Sequence, residues 1–163
     1  MYDKGLLIGR FQPFHNGHMH AIKYVLGQVS HLLLGIGSSN RSMERENPFT
    51  AQERKEMIQG SLTQQQHDRV TICFIPDVQN HIKWIALIQQ TLPQFDVVFT
   101  NDEITRRLYT QKKMPVCSIP FLDRAHLSGT SIRHGISVGE RWHHLVPPGT
   151  VTVVEPLQDR ICE

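Results

Sequence analysis

Two short apolar runs, LLIG at residues 6–9 and LLLGI at residues 32–36, flank a stretch with helical periodicity, and this arrangement restricts the fold more than anything else in the chain. An unbroken apolar run of that length suits a strand covered on both faces, because successive side chains point to opposite sides of a sheet. Strands are therefore expected over residues 4–9 and 31–36. Between them Met19, Ile22, Val25, Leu26 and Val29 recur at helical spacing, giving strand, helix, strand within about 30 residues. A helix from Thr50, a strand over 70–75, a helix over 81–91 and a strand over 97–100 continue the alternation. Parallel neighbours need a crossover, usually a helix, so the alternation predicts an α/β fold around a parallel sheet.

Local chemistry sharpens some boundaries. Thr50 and Glu53 have capping-box spacing and mark a helix start. Gly139 is placed to stop a helix that opens at 128–130 and carries Ile132, Ile136 and Val138. The segment VPPGTVTVVEPL is open between two states: its β-branched residues favour strand, while Pro147 and Pro148 permit a helix start. The Gln64–Gln66 run reads as a surface loop, and there is neither an internal repeat nor a low-complexity segment.

Composition excludes several classes. The 163 residues suit a single domain spanning 1–163, and no apolar run approaches the roughly 18 residues of a membrane span. The start, MYDKGLL, reads as a first strand and not as a signal peptide, so a soluble, cytoplasmic chain is expected with no membrane partner. Cys73, Cys117 and Cys162 are far apart and odd in number, which indicates buried free thiols and neither a disulfide framework nor a cysteine zinc site. Lys and Arg exceed Asp and Glu only by 17 to 15, and they are scattered, so no nucleic-acid partner is expected.

Two stretches carry chemistry. His15-Asn16-Gly17-His18 sits where the first strand passes into the first helix, and unpaired N–H groups and the helix dipole favour phosphate there. Gly17 lets the backbone approach a ligand. The two imidazoles could donate to phosphate oxygens, cap the helix or share a metal; the pattern alone leaves all three open, although no carboxylate or cysteine cluster completes a metal shell. Ser128-Gly129-Thr130-Ser131-Ile132-Arg133 places hydroxyls, a glycine and a guanidinium at a later helix start, which suits polyphosphate or, more plainly, an N-cap with an exposed arginine.

GRFQPFHNGH at 9–18 together with LSGTSIR at 127–133 resembles the adenylyl/cytidylyl-transferase superfamily, with its HxGH-type turn after the first strand and its late (I/L)SGTxIR-type segment. Four stretches narrow the resemblance to the archaeal-type nicotinamide-nucleotide adenylyltransferases: the form of that turn, NPFTAQER at 47–54, IPDVQNHIKW at 75–84 and VFTNDEITRRLY at 98–109. The resemblance covers essentially the whole chain. It implies a Rossmann-like nucleotidyltransferase fold, with a parallel sheet of order 3-2-1-4-5 and helices on both faces. Ligands then lie at the switch point between the first strand, ending at Gly9 and Arg10, and the fourth, ending at Thr100 and Asn101.

The implied reaction joins ATP and nicotinamide mononucleotide (NMN) into NAD and pyrophosphate, with Mg²⁺ accompanying ATP and no metal held by the protein. His15, His18 and Arg133 are the implied catalytic residues. Gly9, Arg10, Phe11, Gly17, Asn101, Ser128, Gly129 and Thr130 are the implied ATP contacts, with adenine near Asn101. Asp77, Asn80, Trp84 and Arg45 are implied for the nicotinamide nucleotide; Trp84 is also at core spacing with Ile88, and Arg41 competes with Arg45 as the loop arginine that grips phosphate. Arg106 and Arg107 read as the solvent face of a helix. The family implies a homo-oligomer of unspecified size, and 163 residues leave no room for the second, hydrolase domain of some relatives. The competing readings are another nucleotidyltransferase, such as one acting on phosphopantetheine, a non-catalytic nucleotide sensor and a histidine-bound zinc protein. Both histidines and a complete SGTSIR segment disfavour the sensor, which needs no transition-state donors.

Overall fold

The computed structural model describes residues 1–161; Cys162 lies outside them, while Cys73 and Cys117 are free thiols and half-buried instead of buried. In chain order the elements are β1 (Tyr2–Gly9), α1 (Asn16–Leu26), β2 (Val29–Ile36), α2 (Ala51–Gln59), α3 (Gln64–His67), β3 (Val70–Phe74), α4 (His81–Thr91), β4 (Val97–Phe99), α5 (Glu103–Gln111), β5 (Val116–Cys117), α6 (Gly129–Ser137) and α7 (Pro148–Val154). Short 3₁₀ segments lie before α7, at His143–Leu145, and after it, at Glu155–Ile161. The five strands are parallel in the order β3-β2-β1-β4-β5, as the resemblance implied.

The apolar runs divide between two cores by the strand period of two. Leu7, Leu32, Leu34, Val97 and Phe99 face one side of the sheet, packing with Ile22 and Val25 of α1, Met57 of α2, Ile132 of α6 and Val154 of α7. Leu6, Leu33 and Val98 face the other, against Ile85 and Ile88 of α4 and Tyr109 of α5. Helices thus cover both faces. That is why LLIG and LLLGI show no polar alternation.

The Thr50–Glu53 box caps α2, and Gly139, at φ +75, sits just past α6 in the left-handed conformation that glycine tolerates. Two expectations change, and one open segment resolves. Val29 begins β2 instead of closing α1: Gly27 caps that helix, and Val29 pairs with Tyr2. Gln64–His67 is a short helix, because Thr63 and Gln66 form their own capping box. In the 146–157 segment proline at the first helical position prevails over β-branching, and Pro148–Val154 is helical.

Candidate active site

His15 and His18 open α1 by capping each other. His15 is the N-cap, and its Nδ1 accepts from the backbone N–H of Gly17 (3.1 Å) and of His18 (3.4 Å). His18 Nδ1 in turn accepts from the His15 N–H at 3.1 Å. This is a capping box built from two imidazoles where a hydroxyl and a carboxylate or amide usually serve. Since Nδ1 accepts in both rings, the one proton of each neutral imidazole resides on Nε2. The alternatives left open by the sequence are therefore not exclusive: Nδ1 caps the helix, and Nε2–H remains to donate. The rings stack with centroids 3.6 Å apart, Phe14 stacks on His18 at 5.6 Å, and Phe11 meets His18 edge-on at 4.8 Å.

Both rings are held neutral. Burial lowers the His15 pKa from the ordinary 6.5 to about 4, and burial followed by the adjacent His15 ring keeps His18 well below the usual imidazole range. Between pH 6.5 and 4 the unfolded chain therefore binds a proton at His15 that the folded chain does not, so stability rises with pH across that window. Acidification from pH 6.5 to pH 4 should cost on the order of 3 kcal/mol from this group alone. Urea midpoints measured against pH check this. His15→Asn, which keeps a cap acceptor and removes the titrating ring, should flatten the slope.

Two clefts open at the carboxyl ends of the strands. One, of about 420 Å³, is lined by His15, Gly17 and His18, by Thr100 and Asn101 beyond β4, and by Ser128 and Gly129 at the start of α6. The other, of about 550 Å³, is lined by Arg10, Gly37, Ser38, Asp77, Asn80 and Trp84. Ile8, Gly9 and Asp102 border both, so the end of β1 divides one crevice in two at the switch point. Gly17 has a steric reason beyond ligand approach, since a Cβ there would lie 2.9 Å from the His15 ring. A Cβ on Gly129 would lie 2.9 Å from the Gln12 carbonyl oxygen and from Arg133 Nη1.

The turn between β1 and α1 is held by residues that sequence reasoning missed. Buried Gln12 donates from Nε2 to the Phe49 carbonyl (3.0 Å), while its Oε1 accepts from the Phe49 N–H (3.0 Å). Thr150 of α7 donates its hydroxyl to the Phe14 carbonyl at 2.7 Å. Arg54 of α2 is completely buried and donates to the carbonyls of Arg10 and Gly37 (both 2.8 Å), Thr50 and Ser38 (both 3.1 Å) and Arg41 (3.4 Å). It joins the ends of β1 and β2 to the 38–50 loop without a carboxylate partner. Burial, then the neighbouring Arg10, lowers its pKa to about 10, and Arg133 is lowered for the same two reasons in the same order. Converging guanidiniums of this kind create a field suited to a polyanion.

The other expected residues fall as follows. Arg133 donates from Nη1 to the Gln12 carbonyl at 2.6 Å, joining α6 to the histidine turn. Ser128 caps α6, its Oγ accepting from the Ser131 N–H at 3.1 Å. Asn101 lines the first cleft, but its amide brackets Ile119: Nδ2 donates to the Ile119 carbonyl (2.8 Å) and Oδ1 accepts from its N–H (2.9 Å). Asn80 caps α4 through Oδ1, and Asp77 Oδ1 accepts from the Ser38 hydroxyl at 2.9 Å. Trp84 is half-buried, packed on the second core with one side on the second cleft, so its two readings coexist. Arg45 is not brought to Asp77, Asn80 and Trp84; it lines a depression with Thr130 and Arg133. Arg41 pairs with Glu44 at 2.8 Å, whereas Arg45 has no ion pair among the described residues. Arg107 is exposed as expected, but Arg106 is half-buried and donates to the Thr100 carbonyl (2.9 Å) and the Ser118 hydroxyl (2.7 Å), tying the ends of β4 and β5. Among the described residues no group of three His, Cys, Asp or Glu is placed to hold a metal ion.

A parallel sheet of this order with a histidine-capped helix at its switch point defines a nucleotidyltransferase class, and the chain belongs to the cytidylyltransferase-like family, whose model matches residues 6–135. Its similarity within that family is to nicotinamide-nucleotide adenylyltransferases. That of Thermoplasma volcanium is 38% identical over 154 residues, covering 94% of this chain and 86% of the relative. That of Thermococcus kodakarensis is 35% identical over 160 residues, covering 97% of this chain and 85% of the relative. The fold is also that of a solved structure, a bifunctional NMN adenylyltransferase/ADP ribose pyrophosphatase from Francisella tularensis complexed with AMP and a manganese ion. It matches all of this chain at a TM-score of 0.82 and 22% identity, and the chain spans 53% of that protein's length.

Proposed function

We propose that the chain transfers the adenylyl group of ATP to NMN, forming NAD and pyrophosphate. The observation that carries this reading is the pair of neutral, Nε2-protonated imidazoles at a helix start, in a cleft completed by the first turn of α6. ATP occupies the His15/His18 cleft, with adenine toward Asn101 and Ile119 and the triphosphate toward Ser128, Gly129, Thr130 and Arg133. NMN occupies the Asp77/Asn80/Trp84 cleft, its phosphate directed across the end of β1. An oxygen of that phosphate attacks the α-phosphorus in line, and pyrophosphate departs with the electron pair of the broken P–O bond. No protein nucleophile takes part. Placement and donors aimed at the developing charge carry the rate.

With Asn101 bracketing Ile119, its role is to shape the adenine wall. Arg45, beside Thr130 and Arg133, serves the triphosphate side in preference to the nicotinamide side. Mg²⁺ accompanying ATP would supply charge neutralisation to the phosphates; among the described residues no group of three His, Cys, Asp or Glu is placed to hold it. Among the described residues no helix is long and apolar enough to cross a membrane; a cytoplasmic homo-oligomer acting as a single nucleotidyltransferase domain completes the proposal.

The test is a coupled assay with ATP, Mg²⁺ and NMN that follows dinucleotide formation; absence of dinucleotide from correctly folded protein sinks the reading. Trp84→Ala should raise the KM for NMN by up to roughly tenfold, the value of a lost aromatic stacking contact, with a smaller change in the KM for ATP. Equal changes in both would leave Trp84 as packing only.

A further inference from the structure

Thr150 of α7 is completely buried, and its hydroxyl does not do what a helical threonine ordinarily does. Further along the same helix, Thr152 bonds back to the carbonyl of Pro148, one turn earlier in its own helix (3.2 Å). Thr150 instead donates out of the helix, to the carbonyl of Phe14 at 2.7 Å. That carbonyl belongs to the peptide unit joining Phe14 to His15, whose N–H donates to His18 Nδ1 at 3.1 Å. A peptide unit is planar, so a carbonyl fixed in direction also fixes the N–H on its other side. Thr150, the 14–15 peptide and the His18 ring therefore form one continuous row of hydrogen bonds. The segment that carries Thr150 is itself well tied down. A Cβ on Gly149 would lie 2.5 Å from the carbonyl carbon of Gly60, so the backbones of α7 and of the turn after α2 touch directly. Past α7, Arg160 donates from Nη1 to both carboxylate oxygens of Glu53 in the α2 cap, at 2.8 Å each. Following His15 in the chain, Asn16 donates from Nδ2 to the His144 carbonyl at 3.0 Å. The C-terminal segment thus holds the residues on both sides of the α1 N-cap, through side chains that line neither cleft.

We infer that Thr150 is a positioning residue for the reaction: through the 14–15 peptide it keeps His18 Nδ1 an acceptor and so keeps the ring proton on Nε2, the nitrogen left to donate. Its effect on rate rests on the adenylyl-transfer reading; its effect on the ring does not. A neutral imidazole has one proton and two nitrogens on which to place it, and the hydrogen bond at one nitrogen decides the other. If the His15 N–H turned away, Nδ1 would lose its donor, and the ring form with its proton on Nδ1 would compete with the form that donates from Nε2. Phe14 also stacks its ring on His18, so a shift of this one residue reaches the imidazole by two routes.

Thr150→Val keeps the shape of the side chain and removes its donor, whereas Thr150→Ser keeps the donor. Proton–nitrogen correlation spectra of the histidine rings read the proton position directly. In the wild type and in Thr150→Ser, His18 should carry its proton on Nε2; in Thr150→Val the form protonated on Nδ1 should appear beside it. The kcat for dinucleotide formation should fall about tenfold in Thr150→Val, with the KM for ATP and for NMN within about twofold of wild type, and Thr150→Ser should recover it. A support that matters only for stability would lower the urea midpoint and move neither the ring spectrum nor the kcat of folded protein. An unchanged spectrum or an unchanged kcat in Thr150→Val therefore overturns the inference, as does a kcat in Thr150→Ser as low as in Thr150→Val. Should Thr150→Val not fold, Thr150→Ala against Thr150→Ser, which differ in the hydroxyl alone, makes the same comparison; failure of both hydroxyl-free variants to fold also overturns it. If the wild type makes no dinucleotide, the adenylyl-transfer reading fails. The coupling of Thr150 to His18 then still stands or falls on the ring spectra.

Discussion

His18→Ala is expected to lower the rate of dinucleotide formation by about a hundredfold or more, as removal of a donor aimed at developing phosphate charge does elsewhere. The same substitution removes the ring that accepts from the His15 N–H, and a lost cap costs about 1 kcal/mol. The two effects separate with His18→Gln, because glutamine is a natural partner at this position of a capping box. Its carbonyl oxygen can restore the bond to His15 while the imidazole Nε2–H stays absent. Helix-start stability should therefore recover in His18→Gln, and the rate should not. Rates under saturating substrates with denaturation midpoints for both variants check this; full activity in His18→Ala would overturn the assigned role. Because both rings are neutral at pH 7, the expected loss is that of a directed donor and its orientation, not of a charge.

Arg54→Ala should be the most destabilising single substitution on the binding side of the sheet, by about 3–5 kcal/mol. Five carbonyls lose their donor at once, and three of them, those of Arg10, Gly37 and Ser38, lie at strand ends that border the second cleft. Since a domain's whole stability is about 5–15 kcal/mol, this is a large fraction. Arg54→Lys should recover little, because an ammonium cannot present the planar fork that reaches both strand ends together. A urea midpoint for Arg54→Ala within about 1 kcal/mol of wild type would show that water replaces the guanidinium without cost.

Much of the fold was legible because its signals are local or periodic. LLIG and LLLGI announce strands buried on both faces, Thr50 and Glu53 announce a helix start, and the histidine turn with SGTSIR marks the candidate site. Where the reading went wrong, a local signal was ambiguous. Val29 fits helical spacing and a strand start equally well, and the polar QQQ run hid a four-residue helix whose cap, Thr63 with Gln66, was present in the sequence. The supports of the site were illegible for a different reason. Gln12, Arg54 and Thr150 bond to backbone atoms up to 136 residues away, and a backbone carbonyl has no side-chain signature to search for. Arg45 illustrates the same limit: its position in the chain places it in a loop, and only the folded loop decides whether it faces the nicotinamide side or the triphosphate side.

The strip of β1 at Ile8 and Gly9 that divides the crevice also divides what can vary in it. Under the proposed reaction, donor-side groups, from the paired imidazoles to the first turn of α6, would answer to a triphosphate, and acceptor-side groups, from Ser38 to Trp84, to whichever phosphorylated molecule is presented to them. With so few residues common to both, a change of acceptor need not disturb the reactive centre. The architecture is modular in the engineer's sense: one half can be exchanged while the other keeps working.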